Sequence, residues 1–180
     1  MKPFRMLAVA CLALCVASTA LAGDHQGWKT TSDVGVATTL AASLITPIAR
    51  GDWEGLLQAA ISDGLAEGIA QLGKVTIHEE RPDHSDNDSF PSGHATLAFA
   101  AATTLYRRYG WEYGAIAFPI AALTGAARVA GRKHHWWDVT AGAALGFASA
   151  WFVTRPFNTQ VQLTPWIGAD GGGLNLQARW

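Results

Sequence analysis

Cysteine is nearly missing from this chain. Its only two, Cys11 and Cys15, fall inside a short apolar run near the amino terminus. Without that run the protein has no cysteine, so packing and not disulfides must hold it together. Charge is also scarce: charged residues make up 15% of the chain, with a formal net charge of −1. No basic field is present to attract nucleic acid, so that class of partner is excluded. Hydrophobic residues make up 49%, which excludes a disordered chain. There is no internal repeat, and no acidic cluster has a clear metal-ligating spacing. Apolar runs are short: the longest reach about sixteen to eighteen residues, near the lower limit for crossing a bilayer.

What is present begins with a leader. Lys2 and Arg5 precede the apolar run 6–16, and Ala20-Leu21-Ala22 stands before Gly23. A charged start, a short apolar stretch and a small-residue site predict a secretory signal peptide over 1–22. Its removal leaves 11 basic residues against 14 acidic, a formal charge of −3. Domain boundaries follow: leader 1–22, a helical domain 23–156 and a tail 157–180.

Five helices are predicted. The first covers 34–49, with Ser32 or Asp33 as N-cap and Pro47 in its last turn. The second covers 53–72 behind an Asp52 cap. Leu57, Ile61, Leu65, Ile69 and Leu72 recur at helical spacing and read as its core face. Gln58, Ser62, Asp63, Glu67 and Gln71 read as the other face. A polar loop covers 73–92, long enough to suggest function. Helices at 92–109, 112–129 and 135–154 follow, the last stopped by Arg155-Pro156. Residues after 160 alternate around Gly168 to Gly173 and predict a short β-hairpin. The fold class is therefore all-α, a bundle of about five helices with a β-hairpin-like carboxy-terminal tail. In an up-down bundle the ends near Lys74, Ser92, Arg128 and His134 share one face.

That face carries the chemistry. Pro91-Ser92-Gly93-His94 opens a helix, where backbone N–H groups and the helix dipole favour an anion. Gly93 lets the anion come close, and His94 can give it a proton near neutral pH. Lys74 and Arg81 flank the loop, and Arg128 precedes His134 and Asp138. Three cations suit a phosphate. The i,i+4 spacing lets Asp138 hold one nitrogen of His134 if the helix already includes His134. His135 has the wrong spacing and reads as a helix-surface residue. His78 and His84 read as loop residues.

Together, "KVTIHEERP", "PSGH" and "RVAGRKHHWWD" resemble the type-2 phosphatidic-acid phosphatase superfamily, which includes bacterial non-specific acid phosphatases and vanadium haloperoxidases. The resemblance implies that His134 is the nucleophile and forms a phosphohistidine, oriented by Asp138. It implies that His94 protonates the leaving group and then activates water. Lys74, Arg81, Arg128, Ser92 and Gly93 would bind the phosphoryl oxygens, with no metal and no cofactor. Ala127 stands where the family usually has serine, which implies a weaker grip on phosphate by about 0.5–1.5 kcal/mol.

Arg50, Arg107, Arg108 and Arg155 fall at the end away from this face, as the positive-inside rule requires of a site facing the periplasm. The expectation is an exported, membrane-associated protein in the periplasm or on the periplasmic face of the inner membrane. Its expected substrate is a lipid-linked phosphomonoester or pyrophosphate. The alternatives are a phosphatase of soluble phosphomonoesters, a vanadium haloperoxidase and a non-catalytic headgroup binder. The sequence carries no signal for an oligomeric state.

Overall fold

The computed structural model describes residues 25–157, 161–168 and 171–178, so the predicted leader lies outside the described residues. The helices are α1 (His25–Arg50), α2 (Trp53–Thr76), α3 (Gly93–Tyr109), α4 (Trp111–Ala130) and α5 (Trp136–Val153). Strands β1 (Val161–Gly168) and β2 (Gly171–Ala178) pair antiparallel, from Val161 opposite Ala178 to Gly168 opposite Gly171. The expected helical bundle and hairpin tail both form, and β1 lies alongside α2.

Two boundaries move. α1 starts at His25, nine residues before the predicted start, so Ser32 and Asp33 lie within the helix and do not cap it. Its first turns lack apolar periodicity, which hid them. Their hydroxyls are instead satisfied inside the helix: Thr30 Oγ1 donates to the Gln26 carbonyl, Thr31 Oγ1 to Gly27 and Ser32 Oγ to Lys29. α2 runs one turn further than predicted and so carries Lys74 in its last turn. Asp52 caps α2 as expected, its Oδ1 accepting the Gly55 N–H at 2.9 Å.

α3 is the centre of the bundle and packs against each of the other four helices. α5 lies closest to it because of Gly142 and Gly146. A Cβ on Gly146 would stand 2.0 Å from the Thr96 carbonyl oxygen, and one on Gly142 would stand 2.6 Å from that of Ser92. Only glycine permits that approach, which holds the first turns of α3 and α5 side by side.

The predicted faces of α2 are largely reversed, although Gln71 stays exposed and Ile69 is half-buried. Gln58, Ser62 and Asp63 point inward with Ala59, Ala66 and Ala70. Leu57, at 61% exposure, and Ile61, Leu65, Leu72 and Val75 point outward. The same inversion runs through the bundle. Its buried side chains are mostly alanine, serine and threonine, with Leu105 and Ile120 the bulky apolar ones, while Phe147, Trp151 and Phe152 stand outside. The helical period of α2 is as predicted, but its apolar stripe faces outward instead of the core.

At the end away from the motifs, Arg108 is buried and forks onto Asp52, Nε to Oδ2 at 2.8 Å and Nη2 to Oδ1 at 2.5 Å. Arg107 lies 4.0 Å over the Trp151 ring, and Arg50 5.0 Å over that of Tyr109. The four arginines cluster at this end, as the sequence suggested, but Arg108 is neutralised inside the protein.

Candidate active site

At the opposite end α2 finishes, α3 starts, α4 finishes and α5 starts, and the first turns of α1 join them. A cleft of about 680 Å³ opens between these ends, with Asp33, Arg81, Asp83, His94, Arg128 and Arg132 on its walls. His134 and Asp138 lie behind that wall, buried, at 2% and 0% side-chain exposure.

The geometry at His134 fixes its tautomer. Its Nδ1 lies 2.7 Å from the backbone carbonyl of Ser89, which can only accept, so Nδ1 carries the proton. Nε2 then bears the lone pair and accepts from Arg128 Nη2 at 3.4 Å. Burial lowers the His134 pKa to about 2, helped by Arg128, Arg81 and Lys74, so the ring is neutral. Asp138 does not take the Nδ1 proton directly. Its Oδ2 is 3.7 Å from Nδ1 and instead accepts from Ser89 Oγ at 2.5 Å and from the His135 N–H at 2.8 Å. α5 begins at Trp136, so His134 lies before the helix, not in its first turn as the i,i+4 argument required.

Each cation is held by a named partner. Lys74 donates to the Asp88 carbonyl at 2.7 Å, and its Cε lies 4.0 Å from where a Cβ on Gly93 would be. Arg81 Nε binds Asp86 Oδ1 at 2.5 Å, and Lys133 pairs with Asp83. That pairing with Lys133 holds Asp83 well below the usual carboxylate range. The loop acids thus fasten cations around the cleft. Arg128 is buried, with Nη1 3.4 Å from Ser32 Oγ. Ser92 donates its N–H to the Asp138 carbonyl at 3.1 Å, tying α3 to α5. Its hydroxyl is buried with no partner among the described residues. Ala127 is buried, one residue before Arg128.

Several contributors were missed from sequence. Ser89 supplies both the carbonyl for His134 and the hydroxyl for Asp138. It opens the "SFPSGH" stretch, but a backbone carbonyl leaves no residue-type signal. Ser32 and Asp33 were hidden as cap residues. His135 is not a plain surface residue: it is the N-cap of α5, stacked on Trp137 at 4.3 Å and 3.3 Å from Glu79 Oε1. His84 sits on the cleft and pairs with Glu80 at 2.6 Å, while His78 is exposed.

The arrangement offers a neutral imidazole lone pair beside a buried guanidinium, a second imidazole on the cleft wall and three cations around one helix N-terminus. Such a set has the charge and the lone pair suited to a phosphoryl group. Comparison with known proteins finds phosphatases among the relatives. Lipid A 1-phosphatase of Porphyromonas gingivalis is 36% identical over 95 residues, which is 51% of this chain but 21% of that protein. The chain therefore spans about a fifth of that relative's length. Lipid A 4'-phosphatase of Helicobacter pylori is 30% identical over 138 residues, 70% of each chain. The crystal structure of Aquifex aeolicus LpxE shares the fold, with a TM-score of 0.62 and 24% identity over 72% of this chain and 84% of that one. The profile of the PAP2 superfamily matches residues 55–162, which span all three motifs, and the chain belongs to that superfamily.

Proposed function

We propose that this protein is a membrane-embedded, metal-independent phosphatase acting on a lipid-linked phosphomonoester or pyrophosphate through a phosphohistidine. One observation carries the membrane part of the reading: the bundle is inside out. Leu57, Ile61, Leu65, Leu72 and Phe152 face outward, and small residues fill the interior. In water that surface is an aggregation hazard, whereas in a bilayer it is the ordinary solution. α1 and α4 are long and apolar enough to cross a membrane. Tryptophans mark both ends, Trp136 and Trp137 beside the site, Trp53, Trp111 and Trp151 away from it. Along α5 the two sets are separated by about 22 Å. The site then sits at the membrane surface, where a headgroup phosphate lies. With the leader of 1–22, the expected location is the periplasmic face of the inner membrane, with 23–156 as the catalytic domain and 157–180 as an appended hairpin.

In the first step His134 Nε2 attacks phosphorus, and the bond to the leaving oxygen breaks as His94 gives that oxygen a proton. The imidazole gains positive charge. The Ser89 carbonyl and the Asp138 carboxylate, 3.7 Å from Nδ1, stabilise it. Lys74, Arg81, Arg128, the Ser92 hydroxyl and the N–H groups at Gly93 take the phosphoryl oxygens. In the second step His94 removes a proton from water, which attacks phosphorus and frees His134. The cations supply the charge that a metal ion supplies in other phosphatases, and the lipid A phosphatases among the relatives favour a lipid substrate over a soluble one.

The test is phosphate release by the full chain in detergent micelles from a panel of lipid and soluble phosphates. Release should survive chelator, fall with vanadate and disappear in His134→Ala. Full release by His134→Ala refutes the mechanism. Preference for soluble esters refutes the lipid assignment.

A further inference from the structure

The imidazole of His94 is not free. Its Nε2 lies 2.8 Å from Oδ1 of Asp33, which belongs to α1, sixty-one positions away in sequence. Asp33 falls outside the residues 55–162 that match the superfamily profile, so the three motifs assign it nothing. The contact is at the cleft, with side-chain exposures of 32% for His94 and 49% for Asp33. The neighbouring residue of α1, Ser32, reaches Arg128. One turn of α1 thus touches both the proton donor and a phosphate-binding cation.

We propose that Asp33 is the positioning residue of His94, fixing its tautomer and sustaining its proton. This rests on the reading of His94 as the acid and base of a two-step phosphatase. A carboxylate can only accept, so Nε2 carries a proton and Nδ1 is the nitrogen left for the substrate. Among the described residues Nδ1 has no hydrogen-bond partner. In the first step the imidazolium passes its Nδ1 proton to the leaving oxygen as the phosphorus–oxygen bond breaks. What remains is the neutral Nε2–H form, which Asp33 holds. In the second step the Nδ1 lone pair takes a proton from the attacking water, and the imidazolium is restored.

The surroundings make such a partner necessary. The charged groups facing His94 are Arg128 on α4, Arg81 on the loop after α2 and Asp33 on α1. His94, in the first turn of α3 at the polar end, is pushed below its ordinary value by burial and then by Arg128. Asp33 is the group that opposes them. Without it, none of these groups opposes the downward shift, and the imidazole holds its proton less well.

The discriminating experiment uses two phosphomonoesters with the same dodecyl chain in detergent micelles, one leaving as a primary alkoxide and one as a nitrophenolate. A nitrophenolate leaves without a proton, so only the alkoxide ester depends on the acid. With Asp33→Asn, kcat/KM, which reports only the steps up to phosphoryl transfer and not the water step the two esters share, should fall about 30-fold or more for the alkoxide ester, a large part of the roughly 10²–10⁴-fold that general acid catalysis supplies. The nitrophenyl ester should fall less than about threefold, a loss that also bounds any misfolding. The alkaline limb of the alkoxide profile should move to lower pH, and Asp33→Glu should recover part of the rate. Equal losses on both esters, or no loss on either, overturn the assignment of Asp33. If His134→Ala keeps full release in the same assay, the phosphohistidine reading falls, and the role of Asp33 with it. If His134→Ala is inactive and Asp33→Asn is flat, Asp33 alone is refuted.

Discussion

Gly146→Ala tests whether the contact of α3 with α5 sets the site. The new methyl would stand 2.0 Å from the Thr96 carbonyl oxygen and 2.9 Å from the Ala100 nitrogen. Both are backbone atoms, so no side chain can swing aside. Carbon and oxygen sit comfortably at about 3.3 Å, so the helices must part by about 1.3 Å. That shift lengthens the bond from Ser92 N–H to the Asp138 carbonyl, now 3.1 Å, beyond hydrogen-bond range. Overpacking costs about 1–3 kcal/mol and the lost bond about 1 kcal/mol, against about 0.5–1 kcal/mol gained by replacing a helical glycine. The net loss of about 1–3 kcal/mol lowers the unfolding midpoint by a few degrees to about 10 °C. Displacement of His94 relative to His134 by about 1 Å is expected to cut kcat by about 100-fold. Gly68→Ala is the control. A Cβ there meets nothing within 4 Å, so it should leave the midpoint unchanged or slightly higher. Thermal unfolding in detergent and phosphate release read both. The reasoning fails if Gly146→Ala matches Gly68→Ala in midpoint and in kcat.

Other outcomes follow from single contacts. Ser89→Ala keeps the carbonyl that holds His134 but removes the donor to Asp138, a charge-assisted bond worth about 1.5–3 kcal/mol. Steady-state kinetics should show kcat down by about 10- to 100-fold with KM nearly constant. Leu65→Arg, on the outward face of α2, should cost about 2.5–3.5 kcal/mol and reduce membrane insertion. A protein folded in water would tolerate it within about 0.5 kcal/mol, so membrane fractionation distinguishes the two. His134 is held neutral in the folded chain, with its pKa at about 2. Unfolded, it takes a proton near 6.5, so between those values the unfolded state binds more protons. Its contribution is full above pH 6.5 and falls by about 1.4 kcal/mol per unit as pH drops below that. Relative to His134→Gln, the wild-type unfolding midpoint should decline more steeply from pH 6.5 to 4.5. Parallel curves would remove His134 as the cause.

Spacing in the sequence located the helices, the shared face and the three motifs, because helical periodicity and motif chemistry are local. What it misassigned depended on surroundings. The stripe of Leu57, Ile61 and Leu65 has the same period whether it faces a core or a lipid phase, and only the packed neighbours distinguish them. Asp33 read as a cap because polar residues at a helix start usually are. Its partner, His94, is remote in sequence and meets it only once α1 packs on α3. Ser89 contacts His134 through its carbonyl, and Asp138 lies 3.7 Å from His134 Nδ1 with Ser89 between them, a relation that i,i+4 spacing alone does not encode.

The most direct measurement is rapid quench of the full chain with a substrate labelled in its phosphoryl group, followed by mapping of the label. The account predicts an acid-labile phosphoryl group on His134 that forms and decays within the turnover time and is absent from His134→Ala. Full turnover with no labelled protein, or with the label on a different residue, contradicts it.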